Sequence, residues 1–176
     1  TVCALLPLAV LLGGCSAGAE KAPKKEVGIQ LYSVRSLIGA FGNNQEDYKP
    51  VLKQLADMGY TSVEAASYKE GKIYGQTPEQ FRKDVEEAGM KVLSTHCTIN
   101  LSDEELAAGD FSKALAWWDE CIAAHKAAGA EYIVVPSMRK ISTLEELATY
   151  CRYFNEVGAR CKAAGMKFGY HNHSRE

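Results

Sequence analysis

The chain has 176 residues, of which 47% are hydrophobic and 24% are charged, and its formal net charge is −2 at pH 7. These values are ordinary for a globular domain that is long enough to bury a substantial core. Because lysine and arginine are not in excess, the sequence lacks the basic surface of a nucleic-acid-binding protein, and we expect no nucleic-acid partner.

The first residues resemble an export signal. An uncharged apolar run, VCALLPLAVLLGG, follows Thr1 and is shorter than the roughly 20 residues that a helix needs to span a bilayer. Residues 1–14 are therefore interpreted as part of a secretory signal peptide. The run ends in LGGC, which resembles a bacterial lipobox, so we expect the sulfur of Cys15 to carry a lipid. An ordinary signal peptide followed by a chance cysteine is the alternative.

The predicted lipid determines the expected location of the protein. Acyl chains on Cys15 would bind a membrane with roughly 0.8 kcal/mol per buried CH₂ group. Residues 15–26 then comprise the lipidated cysteine and a flexible polar tether, SAGAEKAPKKE. We expect a place in the bacterial cell envelope, on the periplasmic or surface face, where the lipid anchor alone contacts the membrane.

A short sequence pattern recurs along the rest of the chain. LADMGYTSVE, VEEAGMKVLS, HKAAGAEYIVV and CKAAGMKFGY each join the end of a helical pattern to an apolar strand through a glycine. Glycine readily adopts the left-handed conformation that ends a helix, which predicts this role for Gly59, Gly89, Gly129 and Gly165. Repetition at roughly 30–40 residues is typical of successive βα units.

The helices also have predicted beginnings and buried faces. TPEQ at residues 77–80 and TLEE at residues 143–146 each place a capping threonine before a helix. In the helix that follows Thr143, six residues are predicted to form the face that packs on the sheet. They are Leu144, Leu147, Cys151, Phe154, Val157 and Cys161.

Five predicted strands read VGIQLYSV, TSVEAAS, KVLSTHCT, YIVVPS and KFGYHNHS. Strands that alternate with helices predict an α/β fold with a parallel sheet, either an open flavodoxin-like sheet or part of a (β/α)₈ TIM barrel. Polar side chains occur near the C-terminal end of every strand, which is typical of a barrel, whereas an open sheet concentrates its site at one switch point. No glycine-rich phosphate loop follows the first strand. We therefore favour the barrel.

A complete barrel of this type needs about 250 residues. Residues 27–176 supply about five strands and four helices, so we expect them to be the N-terminal part of a longer barrel whose last three βα units are missing here. Because the catalytic groups of a barrel come from many strands, we expect this fragment alone to be inactive.

Several motifs together resemble a known family. VGIQLYSVR, MGYTSVEAASY, AGAEYIVVPSM and AGMKFGYHNHSRE are similar to the sugar-phosphate isomerase/epimerase family, the xylose isomerase-like TIM barrels, and to an exported branch of it. The resemblance implies a sugar substrate and a divalent metal (Mn²⁺, Co²⁺, Mg²⁺ or Zn²⁺) at the C-terminal mouth of the barrel. It also implies metal ligands that come mainly from strands 5 to 8.

The candidate site residues lie near the ends of the predicted strands. His171 and His173 would project to the same side of the last strand, so we expect them to bind the metal. We assign Glu64, His96 and Glu176 as catalytic residues, and Gln30, Tyr32 and Tyr68 as substrate-binding residues. Structural alternatives exist for several of them: a solvated loop pair for the two histidines, a pair with a lysine for Glu64, a core position for His96, and simple packing for Tyr32.

The chemistry shared by the family is removal of a proton from a carbon next to a carbonyl, which a bound cation assists. We therefore expect a metal-dependent sugar isomerase or epimerase that acts on a sugar or keto-sugar. The alternatives are a 3-keto-glycoside lyase or hydratase on the same fold, and a non-catalytic carbohydrate-binding lipoprotein.

The remaining cysteines and one histidine are given structural roles. The spacing of Cys97, Cys121, Cys151 and Cys161 matches no zinc-finger pattern, and we expect four free, buried thiols. His125 lies in the last turns of a predicted helix, where its positive charge would complement the helix dipole, and we assign it no part in the site.

Overall fold

The structure is a computed structural model that describes residues 25–44 and 47–174. The predicted lipidation site Cys15, the predicted signal peptide and the predicted catalytic residue Glu176 lie outside the described residues. Within the described part of the chain, no helix is both long enough and apolar enough to cross a lipid bilayer.

A five-stranded parallel sheet forms the centre of the molecule. Its strands follow one another in space in the same order as in the chain, and every neighbouring pair is parallel. They are β1 (Gly28–Gln30), β2 (Ser62–Ala65), β3 (Lys91–His96), β4 (Tyr132–Val135) and β5 (Lys167–Tyr170). A flavodoxin-like sheet reverses its strand order at a switch point, and no reversal occurs among these five strands. The order is that of the wall of a (β/α)₈ barrel.

Six helices connect the strands: α1 (Arg35–Ile38), α2 (Lys49–Asp57), α3 (Pro78–Glu87), α4 (Asp103–Ala108), α5 (Ser112–Ala127) and α6 (Leu144–Ala163). The four longer ones, α2, α3, α5 and α6, are the predicted helices. The short helices α1 and α4 were not predicted, nor was the 3₁₀ helix at Leu31–Val34 that follows β1. Two small antiparallel ribbons complete the fold: Gly39–Ala40 with Asn43–Asn44, and Tyr68–Lys69 with Lys72–Ile73.

The predicted helix boundaries are confirmed where local chemistry sets them. The Thr77 hydroxyl accepts a hydrogen bond from the Gln80 amide, and the Thr143 hydroxyl accepts one from the Glu146 amide. The four glycines predicted to end helices all have positive φ, between 79° and 98°. These short-range signals depend on a few neighbouring residues, which is why the sequence shows them directly.

The predicted buried face of α6 is confirmed only in the second half of the helix, where Val157 and Cys161 are buried and Phe154 packs against the core. In the first half it is wrong: Leu144 is 84% exposed, Leu147 is 41% exposed, and Cys151 is exposed as well. Tyr150 and Tyr153 are buried there instead, two residues that the hydrophobic pattern did not select.

Both tyrosines find hydrogen-bond partners in the core. The Tyr150 hydroxyl accepts from the Leu101 amide, and the Tyr153 hydroxyl donates to the Ile99 carbonyl while it accepts from Nε1 of Trp118. A buried hydroxyl with partners loses little free energy on leaving water, so the large tyrosine rings can fill the space beneath α6.

The predictions for Cys151 and His125 also need correction. Cys97, Cys121 and Cys161 are free and buried as expected, but Cys151 is exposed on α6. His125 is fully buried rather than a charged group at a helix end. Burial lowers its pKa to about 4, although a hydrogen bond with the Cys121 carbonyl acts in the opposite direction, and the ring is therefore neutral at pH 7.

Candidate functional site

A cleft of about 450 Å³ opens at the C-terminal ends of the parallel strands. In a barrel this is the end at which the active site is built. Residues that follow β3 and β4 line part of the cleft. Six other lining residues are important for comparison with the site residues that the sequence predicts. They are Gln30, Tyr32, Phe41, His96, His171 and His173. Five of these six residues were predicted from the sequence.

Three neighbouring strands bring Gln30, Glu64 and His96 together. Oε1 of Glu64 lies 2.6 Å from Nε2 of Gln30 and 2.9 Å from Nε2 of His96. Gln30 and Glu64 face each other in the register of β1 and β2, so their side chains project from adjacent positions on the same face of the sheet. The predicted substrate-binding glutamine and two of the predicted catalytic residues thus form one network.

A register shift between β2 and β3 completes this network. Val63 pairs with Val92, but the next residue of β2, Glu64, pairs with Ser94, so that one residue of β3 is passed over. The Ser94 hydroxyl donates a hydrogen bond to Oε2 of Glu64. Ser94 and His96 are two residues apart on β3 and therefore face the same side. Without the shift, Leu93 would lie opposite the carboxylate. Sequence reasoning missed Ser94 because an irregular register leaves no periodic signal.

The network keeps Glu64 ionised. Burial by itself raises the pKa of this carboxyl group, but hydrogen bonds from His96, Gln30 and Ser94 outweigh burial and lower the pKa to about 2. Since an ionised carboxylate only accepts hydrogen bonds, Nε2 of His96 carries the proton in its contact with Glu64. Nδ1 of His96 then holds the ring's lone pair.

His96 and Glu64 have different positions relative to the cleft. His96 is one of the residues that line it, whereas Glu64 is not, although the side chain of Glu64 is 21% exposed and that of His96 only 6%. Both carboxylate oxygens of Glu64 are engaged in the network. The arrangement is that of a histidine whose tautomer is fixed by a neighbouring carboxylate.

His171 and His173 follow β5 rather than lying within it, because the strand ends at Tyr170. The amide of His171 nevertheless donates to the Val135 carbonyl at 3.0 Å, which holds the segment against β4. The rings of His171 and His173 are 4.9 Å apart between centroids, and the His171 ring lies edge-on to His96 at 5.2 Å. Three imidazole rings therefore lie in a row along one side of the cleft.

The donor types in the cleft suit a divalent metal, but the described residues do not assemble a complete site there. Imidazole nitrogen is a good ligand for Co²⁺ and Zn²⁺, and His171 and His173 both line the cleft and are exposed. Within the described part of the chain, however, no three ligand side chains of the cleft have their ligand atoms within 4.8 Å of one another. Metal binding by His171 and His173 stays a prediction.

Tyr32 and Phe41 form an aromatic wall on the other side of the cleft. Their ring centroids are 5.3 Å apart, and the Arg35 guanidinium lies 4.3 Å from the centroid of the Tyr32 ring. Phe41 was not predicted. It is 64% exposed and has a φ of +52°, a conformation that is unusual for a bulky residue and often marks a functional position. The available signal was the segment GAFG, in which a glycine directly follows the phenylalanine.

The structure places Tyr68 away from the cleft. Its ring packs edge-on against Trp117 at 5.6 Å and lies tilted against His125 at 4.7 Å, and both of these residues are on α5. Burial raises the pKa of its hydroxyl to about 12. Tyr68 is therefore separated from the other predicted substrate-binding residues, and its contacts do not support a role in sugar recognition.

The fold and the position of the cleft define the class of the protein. The chain belongs to the xylose isomerase-like TIM barrel family, whose model matches residues 52–176. The expected fold class, an α/β barrel, is confirmed by this match and by the five-stranded parallel sheet.

Two solved structures of sugar phosphate isomerase/epimerase proteins from Parabacteroides distasonis ATCC 8503 are similar to the chain. One is 31% identical with a TM-score of 0.70, over 85% of this chain and 55% of that one. The other is 27% identical with a TM-score of 0.70, over 91% of this chain and 55% of that one. Among curated proteins, none matches the chain.

A mannonate dehydratase from Streptococcus suis serotype 2 shares the fold, with a TM-score of 0.52 and 13% identity over 84% of this chain and 53% of that one. The chain therefore spans about half the length of each of these three structures.

Proposed function

We propose that the protein is a sugar isomerase or epimerase that moves a proton on a carbon next to a carbonyl group. The observation that carries the proposal is the network of Gln30, Glu64 and His96, which opens onto a cleft large enough for a monosaccharide. The similarity to two sugar phosphate isomerase/epimerase structures supports the same reaction class.

In this proposal His96 transfers the proton. Imidazole accepts and returns protons near neutral pH, and His96 lines the cleft together with Gln30, whose amide cannot serve as an acid or base. Glu64 positions the ring by accepting a hydrogen bond from Nε2–H and stabilises the imidazolium that forms when Nδ1 is protonated. With a pKa of about 2, Glu64 is itself a weak base, so orientation suits it better than proton abstraction.

The enediolate formed by proton removal needs a cation or hydrogen-bond donors close to its oxygens. A divalent metal, when bound, would supply that charge, and we propose His171 and His173 as two of its ligands. The Gln30 side chain, already oriented by Glu64, offers a polar amide to sugar hydroxyls, while the rings of Tyr32 and Phe41 cover an apolar face of the sugar.

Exchange of a carbon-bound proton with solvent tests the proposal directly. The full-length protein is incubated in D₂O with a panel of aldoses, ketoses, their phosphates and 3-keto-glycosides, and deuterium incorporation next to the carbonyl is followed by NMR. Wild type should catalyse exchange, and His96→Asn should reduce the rate by about 100-fold, in line with loss of a general acid–base. Glu156→Gln, which alters an exposed glutamate on α6, should match wild type.

The possible outcomes separate the alternatives. Exchange accompanied by a new sugar identifies an isomerase or epimerase, whereas exchange accompanied by loss of water or of a glycosidic bond would replace that assignment with a lyase or hydratase. Binding of a sugar without exchange by the metal-loaded wild type would overturn the proposal in favour of a carbohydrate-binding protein.

A further inference from the structure

A second group of potential metal ligands lies outside the cleft, between the sheet and α5. Cys97 directly follows β3, while Cys121 and His125 are one turn apart on α5. All three side chains are buried. His96 projects into the cleft, and because successive residues of an extended segment face opposite sides, Cys97 projects toward the helix layer. No residue of this group belongs to the network around Glu64.

The ligand atoms of this group are close together. Sγ of Cys121 lies 3.2 Å from Sγ of Cys97 and 3.4 Å from Nδ1 of His125. Each residue offers one ligand atom, and the three atoms lie within 4.8 Å of one another, which holds for no other such group in the described part of the chain. A tetrahedral zinc ion, with Zn–S of about 2.3 Å and Zn–N of about 2.0 Å, separates its ligand atoms by about 3.5–3.8 Å. The two sulfur atoms need to move apart by only a few tenths of an ångström.

The ring nitrogen of His125 that lies beside the sulfurs is Nδ1. In the metal-free chain Nδ1 lies 2.7 Å from the Cys121 carbonyl, to which it donates a hydrogen bond, so it carries the ring proton. Nε2 is buried and has no hydrogen-bond partner among the described residues. Metal binding therefore requires Nδ1 to give up its hydrogen bond and the ring proton to move to Nε2. After this change of tautomer the lone pair of Nδ1 faces the two sulfur atoms, and the ring stays neutral.

From these contacts we propose that Cys97, Cys121 and His125 bind a zinc ion in the core, at a site separate from the substrate cleft. Thiolate and imidazole are ligands for Zn²⁺, whereas Mg²⁺ and Mn²⁺ prefer oxygen. Binding replaces two S–H protons with the metal: Zn²⁺ combines with two thiols and one neutral imidazole, and two protons pass to solvent. The product carries no net charge, because two thiolates balance the dication, so it fits an apolar core better than the anionic complex that Cu⁺ would form.

The metal-free group is consistent with this proton balance. Burial raises the pKa of the Cys121 thiol, as do its hydrogen bond with Cys97 and the nearby Cys161, so this thiol keeps its proton until the metal binds. Because the ligands are inaccessible in the folded chain, we expect zinc to bind during folding rather than by entry into the finished structure.

Cobalt substitution tests the site without any assay of activity. The full-length protein is reduced, unfolded, and refolded with Co²⁺ or Zn²⁺, and unbound metal is removed. Thiolate-to-cobalt charge-transfer absorption reports sulfur ligation, which a metal in the cleft cannot give because the described lining residues of the cleft include no cysteine. Wild type should bind one cobalt ion with this absorption, and zinc uptake should release about two protons per ion.

Matched variants locate the ligands. Cys97→Ser and Cys121→Ser should each lose the charge-transfer absorption, and His125→Gln should weaken cobalt binding at least tenfold. Cys151→Ser removes an exposed cysteine of α6 and should leave the absorption unchanged. Wild-type protein that refolds with cobalt but shows no thiolate absorption would overturn the proposal, even if a variant fails to fold. Retention of the full absorption by both Cys97→Ser and Cys121→Ser would overturn it as well.

Discussion

Nε2 of His96 lies 2.9 Å from Oε1 of Glu64, across two neighbouring parallel strands. The same carboxylate oxygen lies 2.6 Å from the amide nitrogen of Gln30, so one glutamate links the first three strands of the sheet. This relationship gives Glu64 two effects that can be measured separately: it orients a ring in the cleft, and it contributes to stability through hydrogen bonds that require its negative charge.

Replacing Glu64 with glutamine should lower kcat more than it changes KM. The amide lacks the charge that stabilises an imidazolium, and its NH₂ group can present a proton to His96 and favour the wrong tautomer. We expect a 10- to 100-fold loss of kcat in the deuterium-exchange reaction, with KM changed less than threefold. Glu156→Gln is the control on the exposed face of α6. Equal kcat values for Glu64→Gln and wild type would show that the carboxylate does not act through His96.

The same substitution should reveal a pH-dependent contribution to stability. The Glu64 pKa falls from an ordinary value of 4.5 to about 2 on folding, which corresponds to about 3 kcal/mol at most. Because the folded-state pKa is depressed, this stability is fully present above about pH 5 and is lost as the pH falls toward 2. Urea unfolding at pH 3 and pH 6 should show that the difference in unfolding free energy between wild type and Glu64→Gln shrinks at the lower pH. A constant difference would contradict the assignment.

A buried carboxylate on α3 should matter for stability alone. Asp84 accepts hydrogen bonds from the Tyr48 hydroxyl at 2.6 Å and from the side-chain amide of Gln80 at 2.8 Å. Nζ of Lys49 lies 2.9 Å from the same carboxylate. Asp84→Asn should lower the free energy of unfolding by about 2 kcal/mol, because the Tyr48 and Lys49 groups lose a charged acceptor.

The matched control for Asp84 is an exposed aspartate in a surface pair. Asp57 contacts Lys53 four residues earlier on α2, and both side chains are well exposed to solvent. Asp57→Asn should change stability by less than about 0.5 kcal/mol. Equal effects of the two substitutions in chemical denaturation would argue against an important role for the buried network.

Phe41 should affect substrate affinity more than turnover. Glycine adopts the positive φ of this position without strain, so Phe41→Gly removes the aromatic ring while it keeps the backbone conformation. We expect KM to rise about fivefold to tenfold and kcat to change little, since the ring is proposed to contact an apolar face of the sugar. Leu144→Ala, which removes another highly exposed apolar side chain, should leave both constants unchanged. An unchanged KM in Phe41→Gly would exclude the aromatic wall from substrate binding.

The histidines that follow β5 should determine manganese binding. Mn²⁺ is the useful probe because it binds thiolates poorly, so the buried cysteines will not contribute to the signal. His171→Ala and His173→Ala in the full-length protein should each weaken Mn²⁺ binding at least tenfold, measured by titration with electron paramagnetic resonance. Asn172→Ala, the exposed residue between them, is the control. If both histidine variants bind Mn²⁺ as tightly as wild type, the prediction that they are ligands is wrong.

Local signals in the sequence predicted much of the fold. A threonine before a helix and a glycine after it act within a few residues, so the helices that begin after Thr77 and Thr143 were recognisable without knowledge of the tertiary structure. The five parallel strands followed from the repetition of these units. His96 and Gln30 were selected because polar groups at the C-terminal ends of barrel strands converge.

Features that depend on contacts between elements could not be predicted in the same way. The buried face of α6 depends on partners for the Tyr150 and Tyr153 hydroxyls that lie about 50 residues away. The pairing of Ser94 with Glu64 depends on an irregular strand register. The group formed by Cys97 and Cys121 requires β3 and α5 to pack together, and no spacing in the chain encodes that contact.

The sequential order of the strands has a consequence for the protein during its synthesis. Gln30, Glu64 and His96 belong to the first three strands, so their network requires no residue beyond the third strand. His171 lies 75 residues after His96, a length that a ribosome translates in about 4–15 s at roughly 5–20 residues per second. The network of Gln30, Glu64 and His96 can therefore be complete on the ribosome several seconds before His171 and His173 exist. In a nascent chain, hydrogen bonds within this network already accommodate the negative charge of Glu64, without any help from the later histidines.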